Sequence, residues 1–186
     1  EVCIVAPWWV HLAAMTRRLV AAMPEYDFDG PGMVPFARDI ENFWYKLSRI
    51  ILTEASPQLY VRRMRWASEV LTSLADAEID VAHLSRKLLL RECNSISFAE
   101  TDGLAFLNCF FDKLFEVIGI DRMSSAMLIE HHDAFFESSR LRIERLQREG
   151  SEAIGEIGMF RKVFADRTGI TVSTIHGVKG AEYDAV

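Results

Sequence analysis

Cysteine is scarce in this chain of 186 residues, and so is positive charge. The three cysteines, Cys3, Cys93 and Cys109, are odd in number and far apart. They form neither a disulfide framework nor a paired metal motif, which points to a reducing, cytoplasmic setting. The balance of 21 Lys and Arg against 27 Asp and Glu leaves a formal charge of −6. A self-sufficient DNA binder carries a basic excess, because its affinity comes mainly from neutralised phosphates. Any contact with nucleic acid is therefore expected at a local site or with a partner domain. No apolar run approaches the ~18 residues of a membrane span, so no membrane association is expected. No charged-then-apolar signal segment opens the chain. Internal repeats and low-complexity stretches are absent. The Gly-x4-Gly-Lys-Ser/Thr order of a phosphate-binding P-loop occurs nowhere.

Apolar residues are plentiful, at 50% of the chain with 11% aromatic, so a substantial core can form. Val2–Ala6 is continuously apolar and closed by Pro7, as in a strand buried on both faces. Leu12, Met15, Leu19, Val20 and Met23 recur at helical spacing over His11–Met23, and Pro24 stops that helix. Tyr26–Asp29 reads as a second strand, followed by the turn signal Asp29-Gly30-Pro31-Gly32. From Phe36 the periodicity becomes helical. It predicts helices through Ile40–Ile51, Leu59–Leu74, Ile79–Leu90, Gly103–Ile118, Ser124–Gln147 and Glu152–Phe164. Beyond Gly169, Ile170–Thr174 is a β-branched strand, and Tyr183–Val186 reads as the start of another. A chain that begins and stops on core strands reads as a piece of a longer protein.

The expected fold is α/β with a large all-helical insertion, predominantly α by residue count. Residues 1–54 and 148–186 are expected to form one discontinuous unit around a parallel sheet, with 55–147 as an inserted helical subdomain. Charge is uneven: Pro57–Arg91 holds six basic and four acidic residues, while the remainder is acidic.

The chemistry concentrates near the C-terminus, in Thr174-Ile175-His176-Gly177-Val178-Lys179-Gly180-Ala181-Glu182-Tyr183-Asp184-Ala185-Val186. A buried strand here feeds a loop with two glycines and a lysine. Ligands of open parallel sheets bind at the carboxyl ends of the strands. Gly177 and Gly180 permit close backbone approach, His176 and Lys179 can meet phosphate, and Thr174 offers a hydroxyl. Glu182 repels phosphate but can accept a hydrogen bond from a sugar hydroxyl.

This stretch resembles motif V of the UvrD/Rep-type superfamily-one helicases, Thr-x-His-x-x-Lys-Gly-Leu-Glu-Phe/Tyr-x-x-Val. Thr174, His176, Lys179, Gly180, Glu182, Tyr183 and Val186 match, and Ala181 stands where the family usually has Leu. The segment Gly30–Asn42 is similar to the family's Gly-Gly…Phe-Phe-x-Arg-x-Glu-Ile-x-Asp, with the acidic residues displaced. The family's arginine at the end of the first strand has no counterpart in Val5-Ala6-Pro7-Trp8.

The resemblance implies an incomplete second RecA-like domain of an ATP-dependent DNA helicase of the DNA-repair type. ATP and Mg2+ would serve the whole enzyme, with single-stranded DNA, a duplex junction and the first RecA-like domain as partners. It assigns Thr174, His176, Gly177 and Lys179 to DNA and Gly180 and Glu182 to ATP, and it leaves no catalytic residue here. The alternative is an interaction module that keeps the fold, has lost ATP chemistry and binds protein through its helices.

Other motifs have plainer readings. Arg62-Arg63-x-Arg65-Trp66 is either a basic patch gripping duplex DNA or a surface helix with Trp66 buried. His131-His132-Asp133 invites a metal, but adjacent side chains on a helix diverge by ~100°, so a solvated face is expected. The Phe106–Phe115 run has core spacing, with Cys109 expected inert inside it.

Overall fold

A computed structural model describes residues 2–30, 34–165 and 169–186, apart from the side chains of Trp9 and Val10. Three short strands form a parallel sheet in the order β1-β3-β2: β1 is Cys3–Ala6, β2 is Phe28–Asp29 and β3 is Ile170–Thr174. The central strand β3 pairs with β1 from Cys3↔Thr171 to Ala6↔Thr174, and with β2 at Phe28↔Ile170 and Asp29↔Thr171. Being central, β3 buries Thr171, Val172 and Ser173, in keeping with its mostly β-branched sequence. Helix α1, Trp9–Ala22, follows β1. It buries Leu12 against Phe28 and Val172, with Met15, Leu19, Val20 and Met23 packed around them. Residues 183–186 make only an isolated bridge, Val2↔Ala185, where a strand was expected.

The rest is helical: α2 Phe43–Leu52, α3 Tyr60–Asp76, α4 Arg86–Ser95, α5 Gly103–Ile118, α6 Ala126–Arg148 and α7 Ile157–Lys162. The start of α4 lies about two turns later than the hydrophobic pattern predicts. Asp80 Oδ1 accepts from Ala82 N, which fixes a turn instead, and Ser85 Oγ then caps α4 by accepting from Leu88 N at 3.2 Å. Helix α2 starts later too, so Ile40 lies outside it and is 63% exposed.

A second, larger apolar cluster runs from Phe36 to Phe160 and contains no residue of the sheet. Phe36 is fully buried and packs on Phe160 and Phe164 at ring distances of 5.3 and 5.8 Å. Residues 36–52 and 154–164, which the sequence pattern groups with the sheet, thus give their apolar side chains to the helical body. Pro31–Met33, in the expected turn and in the Gly30–Asn42 segment, lie outside the described residues. The ion pairs Arg17–Glu149, at 2.6 Å, and Lys162–Asp27 link the sheet unit to the helical body.

The helical body is pinned where α2 meets α6. Asn42 caps α2, its Oδ1 accepting from Trp44 N at 2.9 Å and Tyr45 N at 3.2 Å. Its Nδ2 donates to His131 O at 2.8 Å, and Phe43 N donates to His131 Nδ1 at 3.2 Å. The Trp44 indole donates to Leu128 O at 2.8 Å and packs on Phe111 and Phe115. Three otherwise orphaned N–H groups at the helix start are satisfied in this way.

Asn42→Ala would strip Trp44 N and Tyr45 N of their acceptor and remove the amide donor that ties the start of α2 to His131 O on α6. The expected cost is about 1–3 kcal/mol, or roughly 3–10 °C in melting temperature for a chain of this size. Thermal denaturation followed by circular dichroism checks it. An unchanged midpoint would show that the junction does not carry the helical body.

Candidate functional site

Parallel pairing brings the carboxyl ends of β1, β3 and β2 to one edge of the sheet. Pro7 and Trp8, Gly30, and the loop after Thr174 all leave from that edge. Because Ala6 pairs with Thr174, Trp8 and His176 each stand two residues beyond the same rung. The loop makes one 3-10 turn, His176–Val178. Thr174 Oγ1 accepts from Gly177 N at 3.0 Å, and Ala181 N donates to Val178 O at 3.0 Å. The Thr174 hydroxyl proton remains available to an outside acceptor.

Both loop glycines have local structural reasons. A Cβ on Gly177 would lie 2.4 Å from Ser173 Oγ, and Gly180 sits at φ +86. The sequence reading gives Gly177 to an approaching DNA strand; the packed turn itself already requires a glycine there.

Thr174 is half-buried, while His176, Gly177, Lys179, Gly180 and Glu182 are all exposed. Trp8 is 67% and Ile175 57% exposed. The edge therefore presents an indole and an aliphatic side chain beside an imidazole and an ammonium. Trp8 has no place in the motif reading. Only the strand register, which sequence does not reveal, sets it beside the loop.

After the loop, Cys3 N donates to Ala185 O at 2.9 Å, and Val2 bridges Ala185 at the amino end of β1. Residues 175–184 thus cross from the carboxyl edge of the sheet to its amino edge. Thr174, His176 and Lys179 gather near the start of that crossing, and Glu182 lies toward its end. The exposed imidazole and ammonium can donate to phosphate oxygens and the exposed carboxylate can accept from a hydroxyl, so the residues present fit the groups of a nucleotide chain. Among the described residues no group of three His, Cys, Asp or Glu is placed to hold a metal ion.

The other sequence candidates divide. Arg62 and Arg65 are exposed on α3, Arg65 lying 3.8 Å from Glu69. Arg63 is 5% exposed and turned inward, donating to Asn94 Oδ1 at 2.8 Å and Ile50 O at 3.3 Å. The three arginines therefore form no single patch for a duplex. Trp66 is buried beneath Arg49, whose guanidinium lies 5.2 Å from the ring centre. Cys109 is exposed, on the face of α5 opposite its phenylalanines, and does not lie within the core as expected. The histidine pair is structural: His131 caps α2, and His132 stacks 4.4 Å from Phe136 and edge-on to Trp44.

Burial among these rings lowers the pKa of His132, opposed by its hydrogen bond to Asp133. Its Nε2 is buried without a partner. Since the folded pKa lies below the ordinary value of 6.5, the unfolded chain takes up the proton first. The contribution is complete above about pH 6.5 and is lost as pH falls through the folded pKa. The melting temperature should therefore fall on acidification from pH 7.5 to 5, less steeply in His132→Phe. Equal slopes would show that His132 charges freely in the fold. No protein-family model, curated protein or solved structure significantly matches the chain.

Proposed function

We propose that this chain supplies the motif V contacts of a UvrD/Rep-type, ATP-dependent DNA translocase, with the sheet as part of its second RecA-like domain. The observation that carries the reading is the position of the Thr174–Gly180 loop. It leaves the central strand at the carboxyl edge of a parallel sheet, where such sheets bind ligands, and its His176 and Lys179 side chains are solvent-exposed. In this reading His176, Lys179 and the Thr174 hydroxyl hold the phosphates of single-stranded DNA, and Gly177 keeps the turn tight beneath them. Trp8 and Ile175 offer a surface for bases, a contact worth ~1–3 kcal/mol per base for an aromatic ring. Gly180 and Glu182 face the nucleotide, with the carboxylate accepting from a ribose hydroxyl. One loop then joins two ligands, as a motor requires if nucleotide state is to alter grip on DNA.

ATP hydrolysis needs a phosphate cradle and a held magnesium ion. The sequence encodes no P-loop, so this chain is assigned binding roles and no turnover of its own. Arg62 and Arg65 remain the candidates on α3 for a duplex. The second reading, a protein-interaction module, draws on the arginine-free end of β1 and the acidic net charge.

Fluorescence anisotropy with a labelled oligothymidylate tests the assignment. His176→Ala should weaken binding roughly tenfold to a hundredfold, the worth of one hydrogen bond to a charged group. Glu182→Ala should leave nucleotide-free DNA binding nearly unchanged. Equal losses in both variants, with lowered melting temperatures, would reduce the loop to a structural turn. Absence of salt-dependent binding by the unaltered chain would favour the interaction module.

A further inference from the structure

On the side of the helical body formed by the end of α2 and by α3, α4, α5 and α7 lies a cleft of about 760 Å³. That is within the ~300–1,000 Å³ of small-molecule sites. Its wall carries the only inward-turned arginine described above. Arg63 gives its Nη2 hydrogens to two neutral acceptors, Ile50 O and Asn94 Oδ1, and its buried Nε has no partner. No carboxylate pairs with it among the described residues. The nearby Cys93 thiol cannot supply the counter-charge, because burial pushes it up to about 12. Arg161, also on the wall, lies 5.2 Å over the Phe106 ring and likewise forms no ion pair among the described residues. Glu54, the acid of the lining, is solvent-exposed.

A guanidinium buried without an anion is costly, and two neutral acceptors relieve only part of that cost. Thr53, 4% exposed on the same wall, also has a hydroxyl with no partner. Buried polar groups left unsatisfied in this way call for a missing partner. Beside them is apolar surface. Phe98, 38% exposed, packs edge-on to Phe106 and Phe110 at 6.4 and 6.3 Å. Cation and apolar shelf share one concave space.

We propose that this cleft binds a small organic acid, with its carboxylate held by the Arg161 and Arg63 guanidiniums and its apolar body lying on Phe98 and Phe106. Guanidinium is suited to carboxylate through paired N–H···O bonds. Concavity, modest volume and an aromatic shelf favour a compact amphiphile over a nucleic-acid backbone. The site is independent of the motif V loop, which lies on the sheet.

The test uses the whole chain, with anilinonaphthalenesulfonate as a fluorescent probe and 4-phenylbutyrate as competitor. The probe should bind with saturable, blue-shifted emission. Phenylbutyrate should displace it, and the uncharged 4-phenylbutyramide should be roughly tenfold weaker or worse. Arg161→Gln, at an exposed position and checked for folding by circular dichroism, should weaken phenylbutyrate by a similar factor, and Arg161→Lys by less. Phe98→Ala should weaken both probe and competitor. Equal competition by the amide, unchanged affinity in Arg161→Gln or Phe98→Ala, no saturable binding, or displacement by a single-stranded oligonucleotide would each overturn the proposal.

Discussion

The parallel pairing of β1 with β3 is the constraint on which the rest of the architecture depends. Parallel strands cannot be joined by a tight turn and need a crossover. Here the crossover from β1 to β3 contains α1, β2 and the whole helical body. The body must therefore return the chain to where it left, within reach of the Cys3–Thr171 rung. Such a pairing has high sequence separation and forms late unless the intervening structure brings its ends together. The hydrophobic core of the body supplies that scaffold, with α2 anchored on α6 through Asn42, His131 and Trp44. The Arg17–Glu149 and Lys162–Asp27 ion pairs then hold the sheet unit against it.

This arrangement separates stability from chemistry. The larger apolar cluster contains none of the residues assigned to DNA or nucleotide. The smaller one, built on Leu12, Phe28 and Val172, lies between α1 and the sheet from whose central strand the loop leaves. A sheet unit with so small a core is expected to open more readily than the helical body, since regions with few buried contacts do. The cleft in the helical body lies elsewhere and uses different chemistry, a buried cation beside aromatic rings.

Local signals were legible in the sequence; long-range ones were not. The span of α5 could be read from its apolar repeat, and the structure adds an Asp102 cap and a left-handed Gly119 at the same two ends. β3 was legible because four of its five residues, all but Ser173, are β-branched. The misplaced start of α4 shows apolar spacing losing to turn chemistry at Asp80 and capping at Ser85. Arg63 and Arg65 look alike in sequence, yet one is buried and the other exposed, since helical phase against a neighbour decides it. Phe36 joins the helical body because its partners, Phe160 and Phe164, are distant in sequence. The residues that resemble motif V are contiguous and stand out in the sequence, whereas Trp8 comes to the same sheet edge only through the strand register.

The most direct test of this account is a map of backbone amide shifts on titration with a short single-stranded oligonucleotide. Nitrogen–proton correlation spectra of the labelled chain would provide it. Changes should cluster at residues 174–180 and at Trp8, on one edge of the sheet, and leave α3 to α6 unmoved. Changes confined to α3, around Arg62 and Arg65, with none in the loop after β3 would contradict it.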